Sequence, residues 1–525
     1  MIIAVTGTSG NIGGPTVDAL LKLDVEYISV LMHSRGKRTE KFKKAHKRDI
    51  KNGRLRLVFG SLSSVDTCRE LIAGADYVVN LAAVIPPLAE FKPLAAVECN
   101  EHGADALCTA IEQASPQPKL IHFSTIALYA ARSDAHPFAR TCDPLLVSPY
   151  DMYAATKLRG EFRVLESDIA HRVVLRESAV MYDGLLESNI HDGLMFQTPF
   201  NTPLEWVSAE DSARLVAAII ACDAAATDGA MLAVDGKTPI DGFWNKVYNI
   251  SGFPDDRVTG FEVYDRLMKM IGAGTKSLFE AKDNVTRNFH GVWFADGDVL
   301  DSMFGYRTHR LDDYVKLLLK SHRVYSLGKL VPKRLIKKAL FDKLKKSENA
   351  PAHWAKTGQT ERMIAYYGGA DAHEKLGGWD TFPLLCEGKR ADGSDIDYAS
   401  MKNEANYPAD PMFMTDVPDA DVTPEHLRRF AEYHGGKLIS DVDTCDMYAK
   451  LEWETQDGER FTARPYTVLR AGHWFNPIYK ENVWDFDRLA KKDAVFAYQW
   501  YDTHAKDENN RYYYDERFCA KLDKF

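Results

Sequence analysis

The first thirteen residues, MIIAVTGTSGNIG, constrain the fold more than any other stretch of this chain. An apolar run ends at Thr6, and Gly7, Gly10 and Gly13 follow at three-residue spacing. This order predicts a strand, a tight turn and the start of a helix. Glycines permit the sharp turn and a close approach of the backbone to a ligand, and a helix N-terminus offers unpaired N–H groups to a pyrophosphate. The sequence therefore predicts a dinucleotide-binding site at its beginning.

Strand and helix patterns alternate through the first third of the chain. Such alternation is typical of a Rossmann-type, doubly wound parallel sheet, in which ligands bind at the carboxyl ends of the strands. The predicted strands are residues 2–5, 27–32, 55–58, 77–81, 120–123 and 172–175, and the predicted helices include 16–23, 93–113 and 151–167. We therefore expect the glycine-rich turn and Ser124-Thr125 to face the same crevice.

The later part of the chain predicts a cap and a separate C-terminal domain. We expect an N-terminal domain of residues 1–330, with a cofactor-binding core at about 1–176 and a substrate cap mainly at 177–295. Helical patterns at 208–222 and 259–271 belong to the cap, and 296–319 closes the unit. Residues 331–350 are predicted to be a basic linker or helix. Residues 351–525 are predicted to form an α+β domain, with a helix opened by Thr423-Pro424 and a hairpin at 447–455 and 460–469.

Charge and cysteine content narrow the classes of function. The net charge of −9 and a pI near 6.0 argue against nucleic-acid or membrane-surface binding. The eight cysteines form no CxxC pair and the histidines are dispersed, so we expect a reducing compartment and no metal site. No basic, apolar leader and no apolar run of transmembrane length is present. The prediction is a cytoplasmic protein.

Tyr153 and Lys157, in the stretch YAATK, are candidates for acid/base chemistry. Four-residue spacing on a helix places both side chains on one face. A nearby ammonium lowers the pKa of a phenol towards working pH. Thr125, next to Ser124 at a strand end, offers a hydroxyl that could hydrogen-bond a substrate oxygen. The ordinary alternative for Thr125 is a hydroxyl that satisfies a turn.

The end of the second strand bears on the choice of cofactor. An NAD site usually has Asp or Glu there, and this chain has His33-Ser34-Arg35 and further cations. Cations suit the 2′-phosphate of NADP, so NADP is preferred over NAD, with a solvated basic turn as the ordinary alternative. After Asn80, small residues would let the backbone pass close to a cofactor. They are Ala82 and Ala83, after Leu81.

In their order along the chain, these motifs resemble the extended short-chain dehydrogenase/reductase family, also called NAD-dependent epimerases/dehydratases. The resemblance covers roughly residues 1–320 and includes segments 124–129, 176–182 and 206–211. It implies that Tyr153 is the catalytic acid/base, that Lys157 tunes it, and that Thr125 is the catalytic hydroxyl, with Ser124 as its neighbour. The cofactor-binding residues it implies, together with those argued above, are Gly7, Ser9, Gly10, Asn11, Ile12, Gly13, His33, Ser34, Arg35, Ser61, Leu62, Leu81, Ala82, Ala83, Asn100, Tyr153 and Lys157.

The chain also departs from the family pattern. Ile126 and Ala127 stand where nucleotide-sugar dehydratases of the family carry Asp-Glu, so 4,6-dehydratase activity is not expected. Ser61 and Leu62 stand where an Asp often contacts adenine. The segment 179–184 lacks the family's usual Asn and Pro, so the sugar-nucleotide pocket of the epimerases is not clearly present.

The predicted function is an NAD(P)-dependent oxidoreductase that transfers hydride between a nicotinamide cofactor and a small-molecule carbonyl or secondary alcohol. One alternative is a nucleotide-sugar epimerase with retained NAD, and another is a non-catalytic NADP-sensing or interaction protein. The many aromatic residues after Trp474 predict a compact C-terminal core. Alternatively, some of them cover the substrate cleft or pack a homodimer partner. For His473 and His504 a structural role is expected.

Overall fold

A parallel sheet organises the N-terminal part of the molecule. The structure is a computed structural model that describes residues 1–185, 192–226 and 230–514. Seven strands pair in the order β3-β2-β1-β4-β5-β6-β7, all parallel. This confirms the doubly wound sheet, and its order reverses beside β1, where such sheets bind ligands. The strands are β1 (Ile2–Thr6), β2 (Tyr27–Met32), β3 (Leu55–Phe59), β4 (Tyr77–Asn80), β5 (Lys119–Thr125), β6 (Arg172–Glu177) and β7 (Lys246–Ile250).

Helices cover both faces of the sheet. Val17 of α1 and Leu215 of α6 belong to the hydrophobic cluster on one face, and Leu107 of α4 and Leu158 of α5 belong to the cluster on the other. Burial of these apolar stripes on the sheet holds the layers together. The helices are α1 (Gly13–Leu20), α2 (Lys37–Ala45), α3 (Val65–Ile72), α4 (Gly103–Glu112), α5 (Met152–Leu165) and α6 (Ala209–Ala224).

In the sheet and the helices that cover it, the predicted elements differ from the structure in three main places. Helix α1 begins at Gly13 rather than residue 16, because the last glycine of the turn already has helical geometry. The continuous helix predicted at 93–113 is wrong in detail: it consists of Pro93–Ala96, a π-helical turn at Val97–His102, and α4. Strand β7 was not predicted; it is an edge strand of the sheet.

The cap is built from short strand pairs and three longer helices. The helices are α7 (Gly260–Met270), α8 (Asp298–Phe304) and α9 (Leu311–Ser321). The last two are the closing helices predicted at 296–319, and Gly305, with a φ of +55°, ends α8. The strand pairs are Phe138–Ala139 with Trp293–Phe294, Ala179–Met181 with Trp206–Ser208, Pro203–Leu204 with Val258–Thr259, and Met231–Leu232 with Pro239–Ile240.

The C-terminal third contains short helices and a small antiparallel sheet. The basic stretch forms helical turns at Lys333–Ile336, Lys337–Phe341 and Asp342–Leu344. The predicted hairpin is present, but its second strand ends at Ala463 because Pro465 begins a helix. The elements are α10 (Pro351–Thr357), α11 (Thr360–Tyr367), α12 (Pro424–Tyr433), β8 (Lys437–Leu438), β9 (Leu451–Glu454), β10 (Arg460–Ala463), α13 (Pro465–Leu469) and α14 (Ala494–Trp500).

Residues 464–482, which we call the C-terminal strap, lie across the outer face of α5. Arg159 donates a hydrogen bond to the Ile478 carbonyl at 2.8 Å, and Glu161 accepts one from His473 at 3.0 Å. At the sheet edge, the Val247 N–H of β7 donates to the Tyr466 hydroxyl at 2.9 Å. The C-terminal third therefore shares a hydrophobic cluster with the sheet. The domain division at residues 331–350 stays a prediction.

A buried ion pair lies beneath the strap. Arg176 of β6 and Glu161 of α5 are both fully buried and lie 2.6 Å apart. Although burial alone would raise it, Arg176 and His473 hold the pKa of Glu161 well below its usual range. Burial lowers the pKa of His473, so the neutral ring donates from Nε2 to Glu161 and accepts at Nδ1 from the Tyr479 hydroxyl at 2.7 Å. The strap thus supplies a hydrogen bond to the buried carboxylate of Glu161.

Two kinds of feature are absent from the described residues. Within residues 1–185, 192–226 and 230–514, no helix combines the length and the apolar character that crossing a bilayer requires. In the same part of the chain, no three His, Cys, Asp or Glu residues are grouped as metal ligands would be.

Candidate functional site

The glycine-rich turn is a cradle that leaves no room for side chains. Gly7 has a φ of +69°, and a Cβ placed there would lie 2.7 Å from the Ala82 nitrogen. A Cβ on Gly13 would lie 2.1 Å from the Gly7 carbonyl oxygen. The N-terminus of α1 has no side-chain cap, so its N–H groups face the cradle unpaired by side chains. These residues fit a pyrophosphate.

The wall beside the cradle is fixed by side chains of β1, β4 and the π-helical turn. Thr6 donates from its hydroxyl to Asn80 at 2.6 Å, and the Ala82 N–H donates to that hydroxyl at 3.1 Å. Asn100 accepts from the Val84 N–H at 2.8 Å and donates to its carbonyl at 3.0 Å. Asn100 is thus buried behind the loop that forms the wall, and π-helical turns of this kind are frequent at functional sites.

A long cleft of about 1040 Å³ runs from the cradle past the end of β2. Nearly all predicted cofactor residues line this cleft or the cavity at its inner end. Ser34, Arg35 and Asn100 do not, and Ser34 and Arg35 lie exposed at the end of β2. Arg38 of α2 lines the cleft although the sequence analysis did not select it. The predicted residues on the cleft wall include Gly7, Ser9, Gly10, Asn11, His33, Ser61, Leu62, Leu81, Ala82 and Ala83.

The candidate catalytic side chains meet at the inner end of this cleft. Burial raises the pKa of Tyr153 to about 12, and a hydrogen bond with Thr125 opposes that rise. Lys157 donates from Nζ to the Phe123 carbonyl at 2.6 Å, and burial lowers its pKa to about 8. The sequence analysis expected Lys157 to lower the pKa of Tyr153. Instead, burial of the phenol prevails while the Lys157 ammonium is bound to a backbone carbonyl.

Beyond Tyr153 lies an inner cavity of about 410 Å³ with a largely apolar lining. It is continuous with the cleft, because Gly7, Gly10 and Leu81 line both. Among the described residues, no arginine lines it. Its apolar lining includes Phe123, Leu185, Met195, Leu204, Trp206, Val263, Tyr264, Leu267, Met268 and Phe289.

Glu177 is the functional candidate that the sequence analysis missed. It lines the inner cavity at the end of β6, and burial raises the pKa of its carboxyl to about 8. Oε1 accepts from the Ser212 hydroxyl at 3.2 Å, and Oε2 has no partner among the described residues. The buried hydroxyls of Ser124 and Ser178 are likewise unpaired in this part of the chain. No local pattern distinguishes Glu177, which follows Arg176 at the end of β6, because only burial makes its carboxyl unusual.

The C-terminal aromatic residues do not reach this cavity within the described residues. Trp474, Trp484 and Trp500 are buried in the cluster shared with the sheet. His504 stacks on Trp500 with ring centroids 3.7 Å apart, and His473 belongs to the strap. These side chains thus pack in the core and do not cover the cleft.

The sheet order and the glycine-rich cradle define an α/β protein with a Rossmann-type, doubly wound sheet. Residues 3–174 match the model of the NAD dependent epimerase/dehydratase family, which confirms the family resemblance for that part of the chain. A comparison with curated protein sequences finds no match.

Solved structures of similar fold include two enzymes of nucleotide-sugar metabolism. A dTDP-glucose 4,6-dehydratase from Streptomyces venezuelae, with NAD bound, is 20% identical, with a TM-score of 0.47, covering 62% of this chain and 98% of its own. A UDP-glucuronic acid 4-epimerase from Bacillus cereus, with UDP-glucuronic acid and NAD bound, is 20% identical, with a TM-score of 0.46, covering 61% of this chain and 99% of its own.

Proposed function

We propose that this protein is an NAD(P)-dependent oxidoreductase that acts on an apolar carbonyl compound or the corresponding secondary alcohol. The observation that carries the proposal is the apolar inner cavity, which places the Tyr153 phenol and the Thr125 hydroxyl among hydrocarbon side chains. A carbon-rich substrate gains by leaving water for such a lining, and the two hydroxyls orient its single oxygen atom.

The chain's own residues account for the proton and for the orientation of the substrate. When bound, the nicotinamide cofactor supplies or accepts the hydride. Tyr153, whose raised pKa keeps it protonated at neutral pH, donates its proton to the carbonyl oxygen during reduction. Thr125 hydrogen-bonds Tyr153 and holds the same oxygen, which stabilises the charge that develops there. Lys157 lies four residues after Tyr153 on the same helix and would hold the ribose of the nicotinamide cofactor.

We assign NADP as the preferred cofactor. Arg38 and His33 line the cleft at the end of β2, and the stretch from His33 to Arg38 contains no acid. A carboxylate there would accept hydrogen bonds from the ribose 2′-hydroxyl of NAD and would repel a 2′-phosphate. A guanidinium binds phosphate with two parallel hydrogen bonds.

A nucleotide-sugar epimerase remains the second candidate, favoured by the family match over residues 3–174. Its substrate carries a diphosphate and several hydroxyls, which need cationic and polar partners. The lack of an arginine among the described lining residues of the inner cavity favours the oxidoreductase instead. A non-catalytic NADP sensor would not need Tyr153 and Lys157, and both are in place.

One experiment separates these candidates. Purified protein is assayed with NADPH and NADH on a panel of apolar ketones and alcohols, and separately on nucleotide sugars without added cofactor. The proposal expects oxidation of free NADPH by apolar ketones and loss of that activity in Tyr153→Phe. Epimerisation without added cofactor would assign the second candidate. Cofactor binding without either reaction would assign the sensor.

A further inference from the structure

Residues 316–338 form a surface segment whose charge is opposite to that of the whole chain. This segment, which we call the basic leucine segment, holds eight lysines and arginines and no acid, although the chain carries a net charge of −9. It includes the end of α9 and the turn at Lys333–Ile336. The net charge of the whole chain therefore does not reveal this local excess of positive charge.

The same segment exposes large apolar side chains. Leu330 is 82% exposed, Leu327 57% and Leu335 56%, and Leu317 and Val331 are exposed as well. Exposed apolar side chains are normal when scattered singly, but these five fall within twenty residues of one another.

Several cations between these leucines are free to bind a partner. Lys329, Lys333, Arg334 and Lys338 are exposed, and none has an ion-pair partner among the described residues. By contrast, Lys337 pairs with Glu280 at 3.3 Å. The segment therefore presents unpaired positive charge and hydrocarbon side by side.

The segment is anchored on the wall of the inner cavity. Leu311 and Leu318 of α9 point inward and pack in one cluster with Val263 and Met270 of α7. Further along, a Cβ on Gly272 would lie 2.7 Å from Lys329 Cγ, so the chain runs in close contact with the loop after α7. Helix α7 also contributes Leu267 and Met268 to the lining of the inner cavity.

We propose that the basic leucine segment docks the protein on an anionic lipid bilayer. Leucine side chains enter the boundary between headgroups and acyl chains, while lysines and arginines bind the phosphate and carboxylate groups of the lipid surface. The rest of the protein carries an excess of negative charge and is repelled, which orients the segment towards the bilayer. A second copy docked through the same segment would bring like charges together, so the segment does not fit a symmetric dimer.

Docking in this orientation brings the bilayer to within two helices, α9 and α7, of the inner cavity. An apolar substrate dissolved in lipid would then have a short route to the site. The lipid docking itself does not rest on the proposed function, because it follows from the surface alone.

The test is co-sedimentation of the full-length protein with phosphatidylcholine vesicles, with and without phosphatidylserine. We expect binding that needs phosphatidylserine and weakens as salt is added. The double variants Leu327→Ser/Leu330→Ser and Lys333→Glu/Arg334→Glu should each lower the partition coefficient by about tenfold or more. Matched controls, Val234→Ser for an exposed apolar side chain and Lys47→Glu/Arg48→Glu for exposed cations, should bind as the unchanged protein does.

Three results would overturn the proposal. The first is that the protein without substitutions, shown to be folded by circular dichroism, does not sediment with vesicles that contain phosphatidylserine. Another is a charge-reversal variant that binds as well as the control. The third is a dimer in gel filtration that dissociates in Leu327→Ser/Leu330→Ser, which would assign the leucines to a second copy of the chain.

Discussion

Thr125 and Glu177 occupy paired positions at the carboxyl ends of β5 and β6. Paired residues on neighbouring parallel strands project to the same face, so the hydroxyl and the carboxyl lie side by side at the inner cavity. Thr125 hydrogen-bonds the Tyr153 phenol, and Glu177 leaves one oxygen unpaired. The site therefore contains two acids that are protonated at neutral pH, a phenol and a carboxyl.

Glu177→Gln should change the pH dependence of activity. Burial raises the pKa of Glu177 from 4.5 to about 8, so the carboxyl is uncharged at pH 7 and ionises above pH 8. An ionised group in an apolar cavity disfavours an apolar substrate, so activity of the unchanged protein should fall through about pH 8. The variant, uncharged at position 177 at every pH, should show a smaller fall, because Lys157, whose pKa is also about 8, still titrates there. Identical profiles would contradict the role of Glu177.

The same variant should alter stability in a pH-dependent way. A folded pKa above the unfolded value means that the stability linked to Glu177 is lost as pH rises from about 4.5 to 8. Glu177→Gln should therefore raise the free energy of unfolding at pH 9 by about 2 kcal/mol or more, since one pKa unit corresponds to about 1.4 kcal/mol. Denaturant titrations at pH 4 and pH 9, with Glu40→Gln as the exposed control, measure this difference.

Tyr153→Phe should lower kcat by roughly 10²–10⁴-fold, the usual contribution of a positioned proton donor. Thr125→Val should lower it in the same direction, because it removes the hydrogen bond to Tyr153. Both variants should still bind NADPH, because the glycine-rich cradle that fits its pyrophosphate is unchanged. Tyr513→Phe, at an exposed tyrosine away from the cavity, is the matched control. Full activity in Tyr153→Phe would refute the assignment.

Gly13→Ala should abolish cofactor binding, whereas Gly14→Ala should not. A Cβ at Gly13 would lie 2.1 Å from the Gly7 carbonyl, which forces the cradle apart, and a Cβ at Gly14 would have no atom within 4 Å. Fluorescence titration with NADPH measures the difference between these adjacent positions. Equal affinity in the two variants would place the cofactor elsewhere.

Arg38→Ala should weaken binding of NADPH about tenfold and leave binding of NADH nearly unchanged, since the lost guanidinium would bind the 2′-phosphate, which NADH lacks. Arg48→Ala, at an exposed arginine further along the chain, should change neither affinity. If Arg38→Ala weakens both cofactors equally, the preference for NADP has another origin.

Glu161→Gln should destabilise the whole protein by about 3–5 kcal/mol, because it leaves the buried Arg176 guanidinium without its carboxylate. Denaturant unfolding should show one transition for both parts of the chain, as the strap bonds to the same carboxylate. Glu40→Gln, which breaks the exposed pair with Lys43, should cost less than about 1 kcal/mol.

Much of the N-terminal fold followed from local patterns in the sequence. The apolar, β-branched runs gave six strands, and the glycine spacing gave the cradle, because these features act over a few residues. The π-helical turn at Val97–His102 and the edge strand β7 did not follow. The first has no local sequence pattern that separates it from an α-helix, and the second is completed by Tyr466, more than two hundred positions away.

Some residues of the candidate site could likewise be predicted from the sequence, and others could not. Thr125, Tyr153 and Lys157 could be selected because their spacing carries chemistry. Glu177 could not, because only burial makes its carboxyl unusual, and burial depends on Ser212 and the cap around it. The expected lowering of the Tyr153 pKa by Lys157 is absent for a related reason. The Lys157 Nζ is held by the Phe123 carbonyl, a contact that the spacing of Tyr153 and Lys157 does not predict.

The C-terminal strap also bears on how this chain can be cut. A nick in the turns near residue 346 would leave both pieces joined through Arg159, Glu161 and Tyr466. A gene truncated there would instead yield a piece with an open sheet edge and an unprotected catalytic helix. Two half-genes expressed together should rebuild the protein, and either one alone should give insoluble product.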